Sequence, residues 1–130
     1  MADIRQKIVE VTVNNNAVKQ FALGSLPDIR EAKAIKRIEA YNVSQLSVSP
    51  TEKAVINIDV FNKSYLKLVN PQGTELRNFP LSSISKTING TDIPDLNIGP
   101  IDPEKSVIQV GNTAGLVAGE VFLLVVTYEK

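Results

Sequence analysis

Residues 54–84 read AVINIDVFNKSYLKLVNPQGTELRNFPLSSI, and the reading of this stretch decides the fold. Ala54, Ile56, Ile58 and Val60 alternate with Val55, Asn57, Asp59 and Phe61. A period of two is that of a pleated strand with one buried face. Asn62-Lys63 stands where a two-residue turn belongs, because Asn tolerates positive φ. Leu66 and Leu68 then face one way, and Tyr65, Lys67 and Val69 the other. Asn70-Pro71-Gln72-Gly73 forms a second turn, in which Pro presets φ early and Gly supplies positive φ late. A third strand over residues 76–79 ends at Pro80, which stops pairing or marks a sheet edge.

Outward from this block the pattern persists. Residues 7–13 alternate, with Val9, Val11 and Val13 on one face, and predict a first strand. Asn14-Asn15-Asn16 makes a turn, and residues 18–23 return as a second strand that closes a hairpin on the first. Residues 27–40 admit two readings. One is a short helical turn over 28–32 followed by a strand over 34–43; the other is a helix from 27 to 40. The first is preferred because Ile29 and Ile35, six apart, fall about 120° off a common helical face. Residues 44–53 read as a polar loop with a short extended piece at 46–48. Residues 82–103 lack periodicity but hold a short strand near 96–101. Residues 102–105 turn, 106–110 form a strand, 111–120 (GNTAGLVAGE) form a glycine-rich loop, and 121–128 form the last strand.

Short strands at a spacing of about ten residues predict an all-β chain. The expected architecture is an antiparallel two-sheet sandwich, a single jelly roll of about eight strands, in one domain spanning 1–130. The alternative is an immunoglobulin-like sandwich, but the Trp and Cys pair of that fold are missing. A chain of 130 residues suffices for one real core and is too short for two.

Composition narrows the chemistry. Cys is absent, which removes thiol nucleophiles, thiolate metal sites and disulfides; His is absent, which removes the usual neutral-pH base and the common zinc ligand. The 14 basic residues are balanced by 14 acidic ones, so no global field draws in nucleic acid. Aromatic residues make up only 5%, which weakens readings based on base or sugar stacking. MADIRQKIVEVTV lacks the basic and apolar regions of a signal peptide, and no apolar run is long enough for a membrane span. Synthesis in a cytoplasm, no cofactor and no membrane span are therefore expected.

Each candidate site has a plain structural explanation. Residues 111–115 (GNTAG) lack the Lys and Ser/Thr of a phosphate loop. Asp92, Asp95, Asp102 and Glu104 do not have calcium-loop spacing. Asp59 and Glu75 form an acid/base pair only if the fold opposes them. Asn89-Gly90-Thr91 matches a glycosylation acceptor and reads as a turn. Arg30, Lys33, Lys36 and Arg37 are interleaved with Glu31 and Glu39 and read as mixed surface charge. The anomaly is the last strand, Val121 to Val126, which is apolar on both faces, whereas an antiparallel strand in a sandwich normally keeps one face wet. Its second face is covered either by residues 82–103 or by another subunit. In the second case Phe122, Leu124 and Val126 form the subunit interface.

The 54–81 block, the preceding AIKRIEAYNVSQLSVSP (34–50) and the closing VFLLVVTYEK (121–130) together resemble the single jelly-roll capsid proteins of tailless icosahedral phages. These are penton or minor coat subunits that accompany a larger major capsid protein. The resemblance implies a non-enzymatic virion protein, homo-oligomeric contacts, other capsid proteins as partners and no catalytic residues. A carbohydrate- or protein-binding sandwich module is the alternative. A hydrolase restricted to carboxylates or a Ser-Lys pair is a third class.

Overall fold

The computed structural model describes residues 3–41, 55–85, 93 and 95–130. In chain order its elements are β1 (Ile4–Thr12), β2 (Gln20–Ala22), α1 (Pro27–Arg30), β3 (Ala34–Tyr41), α2 (Ile58–Asn62), β4 (Ser64–Val69), β5 (Glu75–Pro80), a 3-10 turn (Leu81–Ile84), β6 (Val107–Val110) and β7 (Val121–Glu129). One sheet runs β1-β7-β3 and the other β2-β6-β4-β5, every pair antiparallel.

This order is that of a long antiparallel hairpin wrapped on itself. β4 pairs with β5 at the tip, and β3 meets Ile98 through an antiparallel bridge at Ile35. β2 pairs with β6, and β1 with β7. Wrapping then sets β7 beside β3 and β6 beside β4. The result is a jelly roll of seven strands among the described residues, with the eighth reduced to the bridge at Ile98.

The tip is the turn anticipated at residues 70–73. The Asn70 side-chain oxygen accepts from the Gln72 and Thr74 N–H groups at 3.1 and 2.8 Å, and the Gly73 N–H donates to the Asn70 carbonyl at 2.9 Å. Gly73 sits at φ +86°, which a side chain would resist. The 27–40 ambiguity resolves as helical turn, then strand. The helix stops because the Lys33 N–H is captured by the Glu129 carbonyl of β7 at 2.8 Å, which starts β3. A bulge between Ile35 and Arg37 turns the Lys36 carbonyl outward, where it accepts from the Leu96 N–H at 2.7 Å.

Two expectations are corrected. Of the strand expected over residues 54–61, the described part, 55–61, does not form one. Val55 makes only a bridge to Val121, and Ile58–Asn62 is a helix. Asn57 caps that helix: its side-chain oxygen accepts from the Val60 N–H at 3.0 Å, while its amide donates to the Gly115 carbonyl at 2.8 Å. Ile58 is exposed and the adjacent Val60 and Phe61 are buried, so the alternation never occupies one face. Asn62-Lys63 is accordingly the end of α2 and not a hairpin turn. The second correction concerns β2, which does not close a hairpin on β1. It crosses to the other sheet, where Phe21 tilts against Phe122 of β7 with ring centroids 6.2 Å apart. Its three residues pair with β6, while β1 pairs with β7 over nine.

The predicted loop at 44–53, its extended piece at 46–48, and Val43 lie outside the described residues, as does the turn at 89–91.

Candidate functional site

The doubly apolar strand was the sharpest feature of the sequence. In register, Phe122, Leu124 and Val126 lie opposite Val11, Val9 and Lys7 on one side, and Leu124 and Val126 lie opposite Ala40 and Ile38 on the other. The Phe21 contact shows that this face looks into the core between the sheets. Each of the three is 1% exposed in the single chain. The proposed interface residues are therefore core residues, and the subunit surface assigned to them is corrected. The outward face of β7 is Val121, Leu123 and Val125, and it too is buried within the one chain.

Beside that outward face lies a polar chain on β3. Arg37, Glu39 and Tyr41 alternate outward, in register with Thr127, Val125 and Leu123. The Tyr41 hydroxyl donates to Glu39 Oε2 at 3.0 Å, and Arg37 Nη1 lies 3.7 Å from Glu39 Oε1. Arg37 Nε and Nη2 both donate to Asp95 Oδ1, at 3.0 and 2.8 Å. The hydrogen bond that Arg37 donates to Asp95, and then the Asp95 charge, raise the Arg37 pKa. The arrangement fastens the 95–98 segment to the sheet.

Tyr41 is 7% exposed, and its hydroxyl is pushed up to about 12, first by loss of surrounding water, then by its hydrogen bond to Glu39 and by the charge there. A group with a raised native pKa holds its proton more tightly folded than unfolded. That contribution is complete below the unfolded value of about 10 and is lost as pH climbs through about 12. Urea midpoints measured across this window should fall by on the order of 2 kcal/mol in stability, and Tyr41→Phe should remove most of the slope.

The remaining sequence candidates do not converge. Asp102 is buried in the predicted turn, where its Oδ1 accepts from the Glu104 N–H at 3.0 Å. Glu104 lies 3.6 Å from Arg30, and Asp95 serves Arg37. Asp92 and Asn89-Gly90-Thr91 lie outside the described residues. Asp59 is in the first turn of α2 and Glu75 begins β5; both are exposed, with no buried setting to tune an acid/base pair. Arg30 and Arg37 are both matched by acids of their own chain, and Lys33 is exposed. In the 111–115 loop, a Cβ on Gly111 would come 2.9 Å from the Lys63 carbonyl oxygen. Glycine there permits two backbone segments to touch. Beyond that loop, Glu120 has one buried carboxylate oxygen without a partner, and burial raises its pKa.

Three features were not legible before the sheet order was known. An open groove of about 360 Å3 lies at the hairpin tip, lined by Asn70, Pro71, Gln72, Leu76, Gly99 and Pro100, with no titratable side chain among them. On the outer face of the larger sheet, Gln20, Gln109, Tyr65 and Pro80 fall in one row across all four strands, each exposed. Finally, β1 forms one margin of the smaller sheet and carries the exposed Ile4 and Ile8. Among the described residues no helix is long and apolar enough to cross a membrane.

No known protein family, curated protein or solved structure matches the chain.

Proposed function

We propose that the chain is a non-enzymatic structural protein of a virion, a single jelly-roll capsid subunit of the penton or minor-coat type that assembles with copies of itself and with other capsid proteins. The observation that carries this reading is the strand order, a wrapped hairpin of two antiparallel sheets. That architecture recurs in capsid, lectin and cupin domains. Fold alone does not choose among them, so the side chains must. Cupin chemistry rests on imidazole ligands, and the sequence has no His. The groove at the hairpin tip offers no acid, base or nucleophile. What the fold does offer is surface, on a rigid core, which suits assembly.

The test is twofold. Proteomics of particles purified from the source that encodes the chain should find it at a stoichiometry of several copies per particle. Light scattering on the purified protein should give a mass above that of one chain. A strict monomer absent from every particle overturns the proposal.

A second reading, a carbohydrate- or protein-binding module, draws on the row of Gln20, Gln109, Tyr65 and Pro80. Amides can hydrogen-bond sugar hydroxyls and a phenol can stack on a ring face. Tyr65 is the single aromatic in the row. A glycan array separates the two readings, with binding that is lost in Tyr65→Ala favouring the second.

A further inference from the structure

Each sandwich sheet has two margins, and an open margin exposes unpaired N–H and C=O groups that template another strand. Three of the four margins here are blunted. β2 is three residues long. β5 ends in Pro80 and is bulged against β4 at Leu68/Val69. β3 is bridged by Ile98 at Ile35 and by Ser85 at Ala40. β1 has none of these devices. It runs nine residues without Pro, Gly or a bulge, and its register with β7 is continuous from Ile4↔Glu129 to Thr12↔Val121. Among the described residues, the backbone from Ile4 to Val11 forms hydrogen bonds only within the β1–β7 ladder. Ile4 and Ile8 are 48% and 37% exposed.

We propose that β1 is a self-association edge: two copies pair their β1 strands antiparallel about a two-fold axis at Ile8, joining two three-stranded sheets into one of six strands. The side chains select both the occupant and the register. A continuous sheet keeps each face in step, so even-numbered residues must oppose even-numbered ones. Centring on Gln6 sets Arg5 against Lys7, and centring on Lys7 sets that lysine against itself; both oppose like charges. Centring on Val9 shortens the pairing and sets Ile8 against Glu10. Centring on Ile8 sets Ile8 on its mate, Gln6 against Glu10 twice, Lys7 against Val9 and Arg5 against Val11. No like charges then meet, and an exposed isoleucine is covered. The two cations that would discourage approach are already held by their own chain, Arg5 by Asp3 at 3.1 Å and Lys7 by Asp28 at 3.7 Å. A two-fold contact of this kind uses one patch twice and closes without forming a filament. It stands whether or not the chain builds a shell.

The absence of native cysteine makes the test direct. Directly opposed antiparallel residues have Cα atoms about 4.5–5.5 Å apart, within disulfide range. Ile8→Cys should therefore oxidise to a covalent dimer, whereas Val117→Cys, at an exposed loop position, should not. Light scattering should give the wild type twice the mass of one chain. Ile8→Lys, which opposes two lysines at the axis, should halve that mass while circular dichroism keeps the wild-type β signature. Failure of Ile8→Cys to cross-link, equal cross-linking by Val117→Cys, a monomeric wild type, or an Ile8→Lys variant of unchanged mass each overturns the pairing. None of these outcomes depends on finding the chain in a particle.

Discussion

Phe122→Ala is expected to lower the free energy of unfolding by about 3–5 kcal/mol, the range for truncating a large buried aromatic. The ring is 1% exposed, lies 6.2 Å from Phe21 across the two sheets, and belongs to a strand buried on both faces. Its neighbours are held by ladders on either side, β1 and β3, so the lining has little freedom to collapse into the space left behind. Chemical denaturation of wild type and variant measures the loss, with Phe21→Ala as a companion that should show strong coupling in a double-mutant cycle. The same experiment separates core from interface. A core phenylalanine costs stability at every protein concentration. An interface phenylalanine would make the loss concentration-dependent and would reduce the assembled mass. If Phe122→Ala left the denaturation midpoint unchanged and altered only the mass, the assignment of this face to the core would be wrong.

Gly111→Ala is the second large effect, expected to destabilise by about 1–3 kcal/mol as an overpacked site. The added Cβ would fall 2.9 Å from the Lys63 carbonyl oxygen, and that oxygen accepts the Gly111 N–H at 2.9 Å. The close atom is a backbone carbonyl, not the far end of a flexible side chain that could yield. The contact sits where α2 passes into β4 and where β6 ends, so relief of the clash would loosen the β4–β6 pairing that starts at Ser64↔Val110. Gly99→Ala is the control. Nothing lies within 4 Å of a Cβ there and its φ is not in the left-handed region, so its thermal midpoint should stay near wild type. Equal midpoints for the two variants would show that the Gly111 contact is not what requires glycine.

The parts of the fold that could be read along the chain were those whose causes are local. The Asn70–Gly73 turn depends on one side chain, one proline and one glycine within four residues, and it stands as expected. β1 was legible because Val9, Val11 and Val13 are buried by strict alternation. The break between α1 and β3 was legible because the apolar spacing fits no helix, although the residue that enforces the break, Glu129, lies nearly a hundred positions away. Alternation misled at 55–61. There the competing signal was Asn57, a helix-capping residue ahead of a short segment, and its second bond goes to Gly115 in a loop that no local pattern connects to it. The hairpin expected of β2 failed for a related reason: proximity in sequence suggested β1 as partner, while the ladder that β2 joins is with β6, far along the chain in the other sheet.

The candidate site divides in the same way. That Val121 to Val126 is apolar on both faces is a property of the sequence. Which face meets the opposite sheet depends on register, and register placed Phe122, Leu124 and Val126 inside. The Arg37–Glu39–Tyr41 alternation was visible, but the buried hydrogen bond and the Asp95 contact were not, because Asp95 reaches β3 only when the hairpin wraps. The open margin at β1 could not be read at all, since a strand is an edge only by virtue of what does not lie beside it.

By itself the sequence determined an all-β chain, the position of its strongest turn, a core rich in β-branched residues and a chemistry without imidazole or thiol, because each of these follows from residue type and short-range spacing. Only the tertiary structure decided the strand order, the inward face of β7, the helix at Ile58–Asn62 and the sheet margin left unblunted among the described residues. Those are set by backbone ladders and caps between residues far apart in the chain, and such contacts gain their free energy only once the whole hairpin has closed.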